Sequence, residues 1–297
     1  MLPDLDSIRC FIAAAKTLNF RAGARAVALT PAAFGKRIQQ LEAQLGTRLF
    51  ERTTRHVALT KSGRAMWPEA LRLVQVAEEC VRAGRGESGP ATVSLTIGTR
   101  YELGLSWLAP MVPILEAALP HVEVNYYFGS GPDLETRVKR FEVHCAVTSR
   151  VFVDPVFDAL RLAREEYVFV ASRKALEANA FDCPTDAAMH TLIDVQPERP
   201  LFRYFRDAPK APSPVRFQGL RVMGSTAAIR LLVLAGEGVA VLPLYLIGAD
   251  LDAGHLVQLF PEVPVLADHF RLMYRHDDPR VELYEQIAAV MSAQPLR

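Results

Sequence analysis

The stretch that most constrains the fold is LTPAAFGKRIQQLEAQLG, at residues 29–46. Thr30 is a good N-cap because its hydroxyl can accept a hydrogen bond from an N–H group of the first helical turn, and Pro31 suits the first helical position. Apolar residues then recur at helical spacing, namely Phe34, Ile38, Leu41 and Leu45. Gly46 can end the helix. The pattern predicts an amphipathic helix with a defined start, end and buried face.

The opposite face of this helix carries small, basic and amide-bearing side chains. It opens with Ala32, Gly35 and Lys36 and continues with Arg37. Because these residues lie near the positive end of the helix dipole, the face can approach a polyanion closely. An ordinary solvent-exposed helix can carry the same residues, so the neighbouring segments have to distinguish the two interpretations.

The segments on both sides favour a DNA-binding interpretation. Apolar periodicity predicts helices over 4–15 and 20–27, and the short turn at 28–29 makes the second and third helices a helix-turn-helix. Behind Gly46, the alternation at 57–59 predicts a strand and therefore a small hairpin, or wing. Arg52, Thr53 and Arg55 lie at its tip, where arginines can reach phosphates or enter a minor groove. A solvated basic loop is the alternative.

These segments together resemble the N-terminal winged helix-turn-helix of LysR-type transcriptional regulators. The resemblance rests on LE at 41–42, LGxxLFxR at 45–52 and LTxxG at 59–63, in that order and spacing. Two positions that face DNA in the family differ, because Pro31 stands where Gln or Ser is frequent and Gly35 where Ser is. The residues expected to bind DNA are Thr30, Pro31, Ala32, Gly35, Lys36, Arg37, Arg52, Thr53 and Arg55.

Charge and hydropathy agree with this assignment. Residues 1–90 carry 14 Lys and Arg against 8 Asp and Glu, whereas the remaining residues carry 20 against 25. A basic end on a mildly acidic body indicates a nucleic-acid-binding segment. No apolar run is long enough to span a membrane, and the N-terminus has no signal-peptide pattern. We therefore expect a cytoplasmic protein without a membrane partner.

A longer helix is predicted over 66–84, with an apolar stripe that needs a covering partner. The stripe consists of Ala70, Leu73, Val74, Ala77 and Val81. Packing against its own winged domain is one possibility. The resemblance implies a linker helix that pairs with its copy in a homodimer. It also implies a homotetramer that is built from two kinds of dimer contact. The Gly-rich and Pro-rich segment that follows, up to residue 90, predicts a flexible connector.

From residue 91 onward, strands and helices alternate in two sets with a late return, which predicts an α/β body of two lobes. The layout resembles the periplasmic-binding-protein-like effector domain of the same family. The predicted architecture is therefore an all-α winged helix-turn-helix domain at 1–65, a linker helix and hinge at 66–90, and a two-lobed effector domain at 91–297. Lobe 1 is expected to comprise about 91–161 and 267–297, and lobe 2 about 162–266.

Ligands in such sheets bind beyond the carboxyl ends of the strands, where helix N-termini favour an anion. The hydroxyls and the guanidinium expected at these ends belong to Thr99, Arg100, Ser130, Thr148, Ser149, Ser225 and Thr226. Phe202, with Arg203 and Tyr204, is expected to approach from lobe 2. Any single hydroxyl can instead be a helix cap. We expect a small-molecule effector between the lobes, with an anion as one option.

The sequence thus predicts a DNA-binding regulator that acts on a pseudo-palindromic site of double-stranded DNA under effector control. A thiol-based redox sensor of the same architecture is one alternative, although Cys10 and Cys145 fall in apolar patterns typical of inert thiols. A cytoplasmic enzyme on a two-lobed α/β fold is the other. The spacing of the cysteines and histidines shows no metal motif, and no catalytic triad order or phosphate loop is evident, so neither a cofactor nor a metal is expected.

Overall fold

A computed structural model describes residues 2–52, 57–85 and 92–296. The N-terminal elements, in chain order, are α1 (Leu5–Thr17), α2 (Phe20–Ala26), α3 (Pro31–Leu45), β1 (Phe50–Arg52), β2 (Val57–Leu59) and α4 (Lys61–Gly84). Strands β1 and β2 pair in antiparallel fashion. The predicted winged helix-turn-helix, with a long helix behind it, is confirmed.

Side-chain caps set the starts of these helices. The Thr30 hydroxyl accepts a hydrogen bond from Ala33 N at 3.2 Å, and Gly46 ends α3 in a left-handed conformation with φ of 67°. Thr60 caps α4 in the same way, by accepting from Gly63 N at 3.0 Å. The sequence separates a helix start at Thr60 from a longer helix beginning at residue 66, whereas the structure has one continuous helix. Buried aromatic and aliphatic side chains form the core of this domain, including Phe11, Phe34, Ile38, Leu41 and Trp67.

The helical elements of the C-terminal region are α5 (Tyr101–Leu103), a π-helical segment (Gly104–Leu108), α6 (Ala109–Ala118), α7 (Gly131–Lys139), α8 (Arg173–Ala178), a 3₁₀ helix (Pro184–Met189), α9 (Phe202–Arg206), α10 (Thr226–Ala235), α11 (Leu244–Asp252) and α12 (Val281–Ser292). Its strands are β3 (Val93–Thr99), β4 (Val122–Phe128), β5 (Cys145–Thr148), β6 (Phe157–Glu165), β7 (Tyr167–Ser172), β8 (Thr191–Asp194), β9 (Gly219–Val222), β10 (Ala240–Pro243), β11 (Leu256–Gln258) and β12 (Asp268–Arg275).

Lobe 1 is built on a sheet with strand order β4-β3-β5-β12-β6. Strand β3 runs parallel to β4 and β5, whereas the returning β12 is antiparallel to β5 and β6. Lobe 2 has an antiparallel sheet of order β10-β7-β11 and a parallel pair β8-β9. Each lobe encloses its own apolar core. The lobe 1 sheet is therefore mixed rather than wholly parallel, because β12 returns to it after the chain has crossed to lobe 2.

The two crossings place polar residues between the lobes. Strand β6 continues its pairing with β12 as far as Glu165, which lies opposite Asp268. Strand β7 of lobe 2 begins two residues later, at Tyr167. The first crossing therefore follows Glu165, a few residues beyond the position of about 161 that the sequence indicated. Among the described residues, no helix is long and apolar enough to cross a membrane.

Candidate functional site

The outer face of α3 is open to solvent, and the side chains at its N-terminal end are mostly small. Pro31, Ala32 and Lys36 are exposed, and Gly35 is half-buried with no atom within 4 Å of the place that a Cβ would occupy. Lys36 makes no ion pair within the part of the chain that the structure describes. A helix face of small side chains with one available cation can lie close to a polyanion. The structure places Thr30, Ala32 and Lys36 at the N-terminal end of α3.

Arg37 is directed away from this face. Its Nη1 lies 3.5 Å from Asp4 Oδ1 and 3.3 Å from Asp6 Oδ2, at the start of α1. Hydrogen bonds from the Ser7 side chain and backbone lower the pKa of Asp4, so this partner stays ionised. The structure thus gives Arg37 a role inside the domain, where it ties α3 to the start of α1.

Glu42 connects α3 to the wing. Its Oε1 accepts hydrogen bonds from Leu49 N at 2.8 Å and Phe50 N at 3.1 Å. These bonds explain the LE motif, because a carboxylate one helical turn before the end of α3 fixes the first strand of the hairpin. Arg52 is the last residue of β1. Thr53 and Arg55 lie outside the described residues.

The glycine of the LTxxG motif permits the other contact of the wing. A Cβ atom on Gly63 would lie 2.2 Å from the carbonyl oxygen of Leu49. The Thr60 hydroxyl also donates to Arg48 O at 2.7 Å. Helix α4 therefore begins directly against the hairpin, and only the absence of a side chain at Gly63 allows this approach.

In lobe 1, the ends of three strands bring Arg100, Ser149 and Glu165 together. Arg100 Nη2 lies 3.5 Å from both Ser149 Oγ and Glu165 Oε1. Glu165 is fully buried, and its Oε2 has no hydrogen-bond partner among the described residues. Burial raises the pKa of Glu165 above its usual value, although the charge of Arg100 and the hydroxyls of Ser149 and Tyr167 oppose this rise. The structure brings the predicted residues Arg100 and Ser149 together with Glu165, which the sequence analysis did not include.

Other predicted hydroxyls of lobe 1 serve local roles. Thr99 is buried, and its hydroxyl lies 3.3 Å from Arg100 O. Thr148 is also buried and accepts from Arg150 N at 3.1 Å. Ser130 caps α7 by accepting from Asp133 N at 3.4 Å. The contact of Ser130 matches the helix-cap alternative, whereas Thr99 and Thr148 bond the backbone one or two residues away.

The predicted anion position at the start of α10 is occupied by a carboxylate of the chain itself. The Ser225 hydroxyl donates to Glu102 Oε1 at 2.8 Å, and Ala227 N lies 3.5 Å from the same oxygen. Burial opposes ionisation of Glu102, but hydrogen bonds from its own backbone and from Ser225 keep its pKa below the usual value. Thr226 is buried as the first residue of α10. Glu102 thus links lobe 1 to lobe 2.

Phe202 does not face the region between the lobes. It is 2% exposed and packs in the lobe 2 core, with ring centroids 5.8 Å from Phe169 and 5.1 Å from Phe217. Tyr204 is the neighbour that reaches the crossing between the lobes at Glu165 and Asp268, called the hinge from here on. Its hydroxyl donates to Asp268 Oδ2 at 3.2 Å, and its ring stacks on Tyr167 with centroids 4.0 Å apart. Helical spacing explains the difference, since residues two positions apart on α9 point in nearly opposite directions.

All four cysteines are free thiols. Cys10 and Cys145 are buried, and burial raises the pKa of both thiols. Cys80 and Cys183 are exposed, and Cys183 Sγ lies 2.9 Å from Thr185 Oγ1. Within the described ranges, no group of three or more His, Cys, Asp or Glu side chains is arranged to hold a metal ion.

Two family models cover most of the chain. Residues 5–64 match the bacterial regulatory helix-turn-helix protein model of the lysR family, and residues 88–294 match the LysR substrate binding domain. The second match alone spans more than half of the chain.

Known relatives are similar to this chain in sequence, and solved structures are similar to it in fold. The glycine cleavage system transcriptional activator of Escherichia coli K12 is 26% identical over 273 residues, which cover 92% of this chain and 87% of the relative. ArgP from Mycobacterium tuberculosis superposes with a TM-score of 0.70 at 20% identity and 98% coverage of both chains. Full-length LysG from Corynebacterium glutamicum, with bound effector Arg, gives 0.66 at 18% identity, covering 97% of this chain and 98% of that one. The chain belongs to the LysR family and is a LysR-type transcriptional regulator with a helix-turn-helix DNA-binding domain and an effector-binding domain.

Proposed function

We propose that this regulator binds a pseudo-palindromic DNA site by placing the outer face of α3 in the major groove. The observation that carries the proposal is the open end of α3, where Lys36 is exposed beside the exposed Ala32. Glu42 fixes β1 to the C-terminal part of the same helix, and we expect Arg52, Thr53 and Arg55 of the wing to contact phosphates. Cations in these positions supply salt-sensitive affinity, and small side chains admit close contact with base edges.

We infer that the protein is a homodimer through α4 and that dimers pair into a tetramer. Leu73, Val76 and Val81 are 46%, 46% and 53% exposed on α4, whereas Trp67 and Ala70 turn inward to their own domain. Exposed aliphatic side chains that recur on one long helix favour a protein partner. A second copy of the same helix supplies a self-complementary surface and two DNA-reading helices for one site.

The effector is proposed to bind between the lobes, in contact with Arg100 and Ser149. The support is their meeting with Glu165 at the hinge and the link from Glu102 to Ser225 across the lobes. A ligand that binds one arrangement of the lobes better than another shifts the population toward that arrangement. We expect this shift to change the angle between the paired DNA-binding domains of the oligomer. Sensing by thiol oxidation has less support. Burial disfavours the reactive thiolate of Cys10 and Cys145, and the exposed thiols lie in separate parts of the chain, Cys80 on α4 and Cys183 in lobe 2.

Fluorescence anisotropy with the DNA upstream of the protein's own gene tests this function. We expect tight, sequence-preferring binding that weakens with salt, and a shallower salt dependence for Arg55→Ala. Adding peroxide should leave the binding unchanged if the signal is a small molecule. Binding no tighter than to random DNA, together with an empty genome-wide pull-down, would contradict the proposal.

A further inference from the structure

We propose that the effector is a small zwitterion whose ammonium group binds Glu165 and whose carboxylate binds Arg100. This inference rests on the proposed effector site and assigns it a chemical class. Both residues lie where lobe 1 ends and the chain crosses to lobe 2: Arg100 follows β3, and Glu165 ends β6. A molecule with both charges would contact these residues at the hinge itself.

Glu165 is a buried carboxylate with incomplete compensation. None of its surface is exposed, and its Oε1 is 3.5 Å from Arg100 Nη2. The hydroxyls of Ser149 and Tyr167 also favour its charged form, but its Oε2 has no hydrogen-bond partner among the described residues. A distance of 3.5 Å is at the outer limit of a hydrogen bond. A charge removed from water is unfavourable unless several donors replace the solvent. An ammonium group carries three such donors, and one of them can serve the unpartnered oxygen.

Arg100 has unused donors beside this carboxylate. Its side chain is 35% exposed, and its polar contacts with the described residues are the two 3.5 Å approaches of Nη2 to Ser149 and Glu165. A guanidinium presents five N–H donors in a planar fork that matches a carboxylate. Arg100 can therefore bind an incoming carboxylate without first leaving a strong internal partner.

The neighbouring charged groups are already engaged. Asp268 accepts from the Tyr204 hydroxyl at 3.2 Å and from His269 N at 2.7 Å. Arg271 donates to Ser149 O at 3.1 Å and His269 O at 2.8 Å. Glu102 accepts a hydrogen bond from the Ser225 hydroxyl. Compared with these three described neighbours, Arg100 and Glu165 keep more capacity for new bonds, and they lie side by side.

The balance of charge argues against a simple anion. The carboxylates of Glu165 and Glu102 act on Arg100, and that of Asp268 acts on Glu165, whereas Arg161, Arg164 and Arg271 surround His269 beside Asp268. A further negative charge would leave Glu165 without a new donor and would add repulsion in a poorly screened site. A zwitterion adds no net charge and satisfies Arg100 and Glu165 together.

Titration calorimetry on the full-length protein tests the ligand side of this inference. The probes are the twenty free amino acids and, for each one that binds, the matching carboxylic acid without the amine and the matching amine without the carboxylate. We expect the amino acid to bind at least about tenfold more tightly than either analogue, as for loss of one partner in a desolvated charge pair. This comparison requires no variant and so does not depend on the folding of a mutant.

A matched pair of variants tests the protein side. Glu165→Gln keeps the shape of the side chain and removes its charge. It should weaken binding of the amino acid by about tenfold or more and leave the affinity for the deaminated acid nearly unchanged. Glu166→Gln changes the next residue, whose carboxylate is half-exposed and lies 3.6 Å from Arg164, and it should bind like the wild type. Thermal unfolding of both variants checks that the fold is kept.

Three results would overturn the zwitterion: equal affinity for the deaminated acid, unchanged affinity in Glu165→Gln, or no binding of any amino acid. The same titrations, repeated with operator DNA present, separate this failure from failure of the proposed function. A carboxylic acid without an amine that binds and alters DNA affinity refutes the zwitterion and leaves the effector site in place. Absence of specific DNA binding would instead refute the proposed function.

Discussion

Glu102 and Ser225 join the two lobes through a hydrogen bond of 2.8 Å, although 123 positions separate them in the chain. Ser225 is also the N-cap of α10, since it accepts from Ala228 N at 3.4 Å. A carboxylate from lobe 1 therefore completes the N-terminus of a lobe 2 helix, where the helix dipole favours negative charge. The arrangement of the lobes depends in part on this contact.

A double-mutant cycle on Glu102→Gln and Ser225→Ala should show a coupling free energy of about 1 kcal/mol or more, as expected for residues that share a hydrogen bond to a charged group. The measurement is the free energy of unfolding from urea titrations of the four proteins. Ser130→Ala is the matched control, because Ser130 caps a different helix, α7, through Asp133 N. Additive effects at Glu102 and Ser225 would contradict the link between the lobes.

Lys36→Ala should reduce DNA affinity and lower the salt slope by about 0.9, since one phosphate contact is lost. Arg37→Ala should change the slope less, because Asp4 and Asp6 already hold its guanidinium at 3.5 and 3.3 Å. Anisotropy titrations over a salt series measure both slopes. Equal reductions in the two variants would show that Arg37 leaves its partners to contact DNA.

Two glycines of the DNA-binding domain should respond oppositely to alanine. In Gly63→Ala the new Cβ would lie 2.2 Å from Leu49 O, and such overpacking should destabilise the protein by about 1–3 kcal/mol. Gly35 lies inside α3 with open space around it, so Gly35→Ala should stabilise by about 0.5–1 kcal/mol. Thermal unfolding of the two variants measures the direction of each stability change. Unchanged stability in Gly63→Ala would contradict the close contact between α4 and the wing.

The stability of the protein should decrease as pH falls, through His144. Its Nδ1 accepts from Thr96 N at 2.7 Å, and burial, followed by the charge of Arg280, lowers the pKa of His144 from 6.5 to about 4. The folded state therefore favours neutral imidazole. Its contribution is complete above the unfolded pKa of 6.5 and decreases as pH falls toward 4.

By pH 5 the predicted loss is about 2 kcal/mol relative to neutral pH. Urea unfolding of the wild type and His144→Asn at both pH values measures it, because an amide oxygen can accept the Thr96 bond without titrating in this range. We expect a shallower pH dependence in the variant. The same dependence in both proteins would assign the effect to other groups.

Leu73→Glu should dissociate the proposed dimer, because it places a charge among the exposed aliphatic side chains of α4. Val153→Glu is the control, since Val153 is 94% exposed on a loop of lobe 1 and Leu73 is 46% exposed on α4. Sedimentation velocity reports the mass of each variant. Retention of the wild-type mass by Leu73→Glu would argue against pairing through α4.

Local sequence was enough to place α3 and the wing. The Thr30 cap, Pro31 and Gly46 act on backbone groups within one helical turn, so that α3 starts and ends where these residues stand. The alternation at 57–59 likewise gives β2, which pairs with the preceding β1. The resemblance then supplied the domain order, because the LysR motifs are short and consecutive.

The partners of the charged side chains depended on tertiary structure. Arg37 pairs with Asp4 and Asp6 at the start of α1, Phe202 enters the core of lobe 2, and Glu165 is buried where β6 crosses between the lobes. Cap residues and hydropathy periods describe only a few neighbouring positions. Burial and ion pairing at the hinge arise from segments brought together by the antiparallel return of β12 and by the contact between Glu102 and Ser225, and no local pattern encodes such pairings.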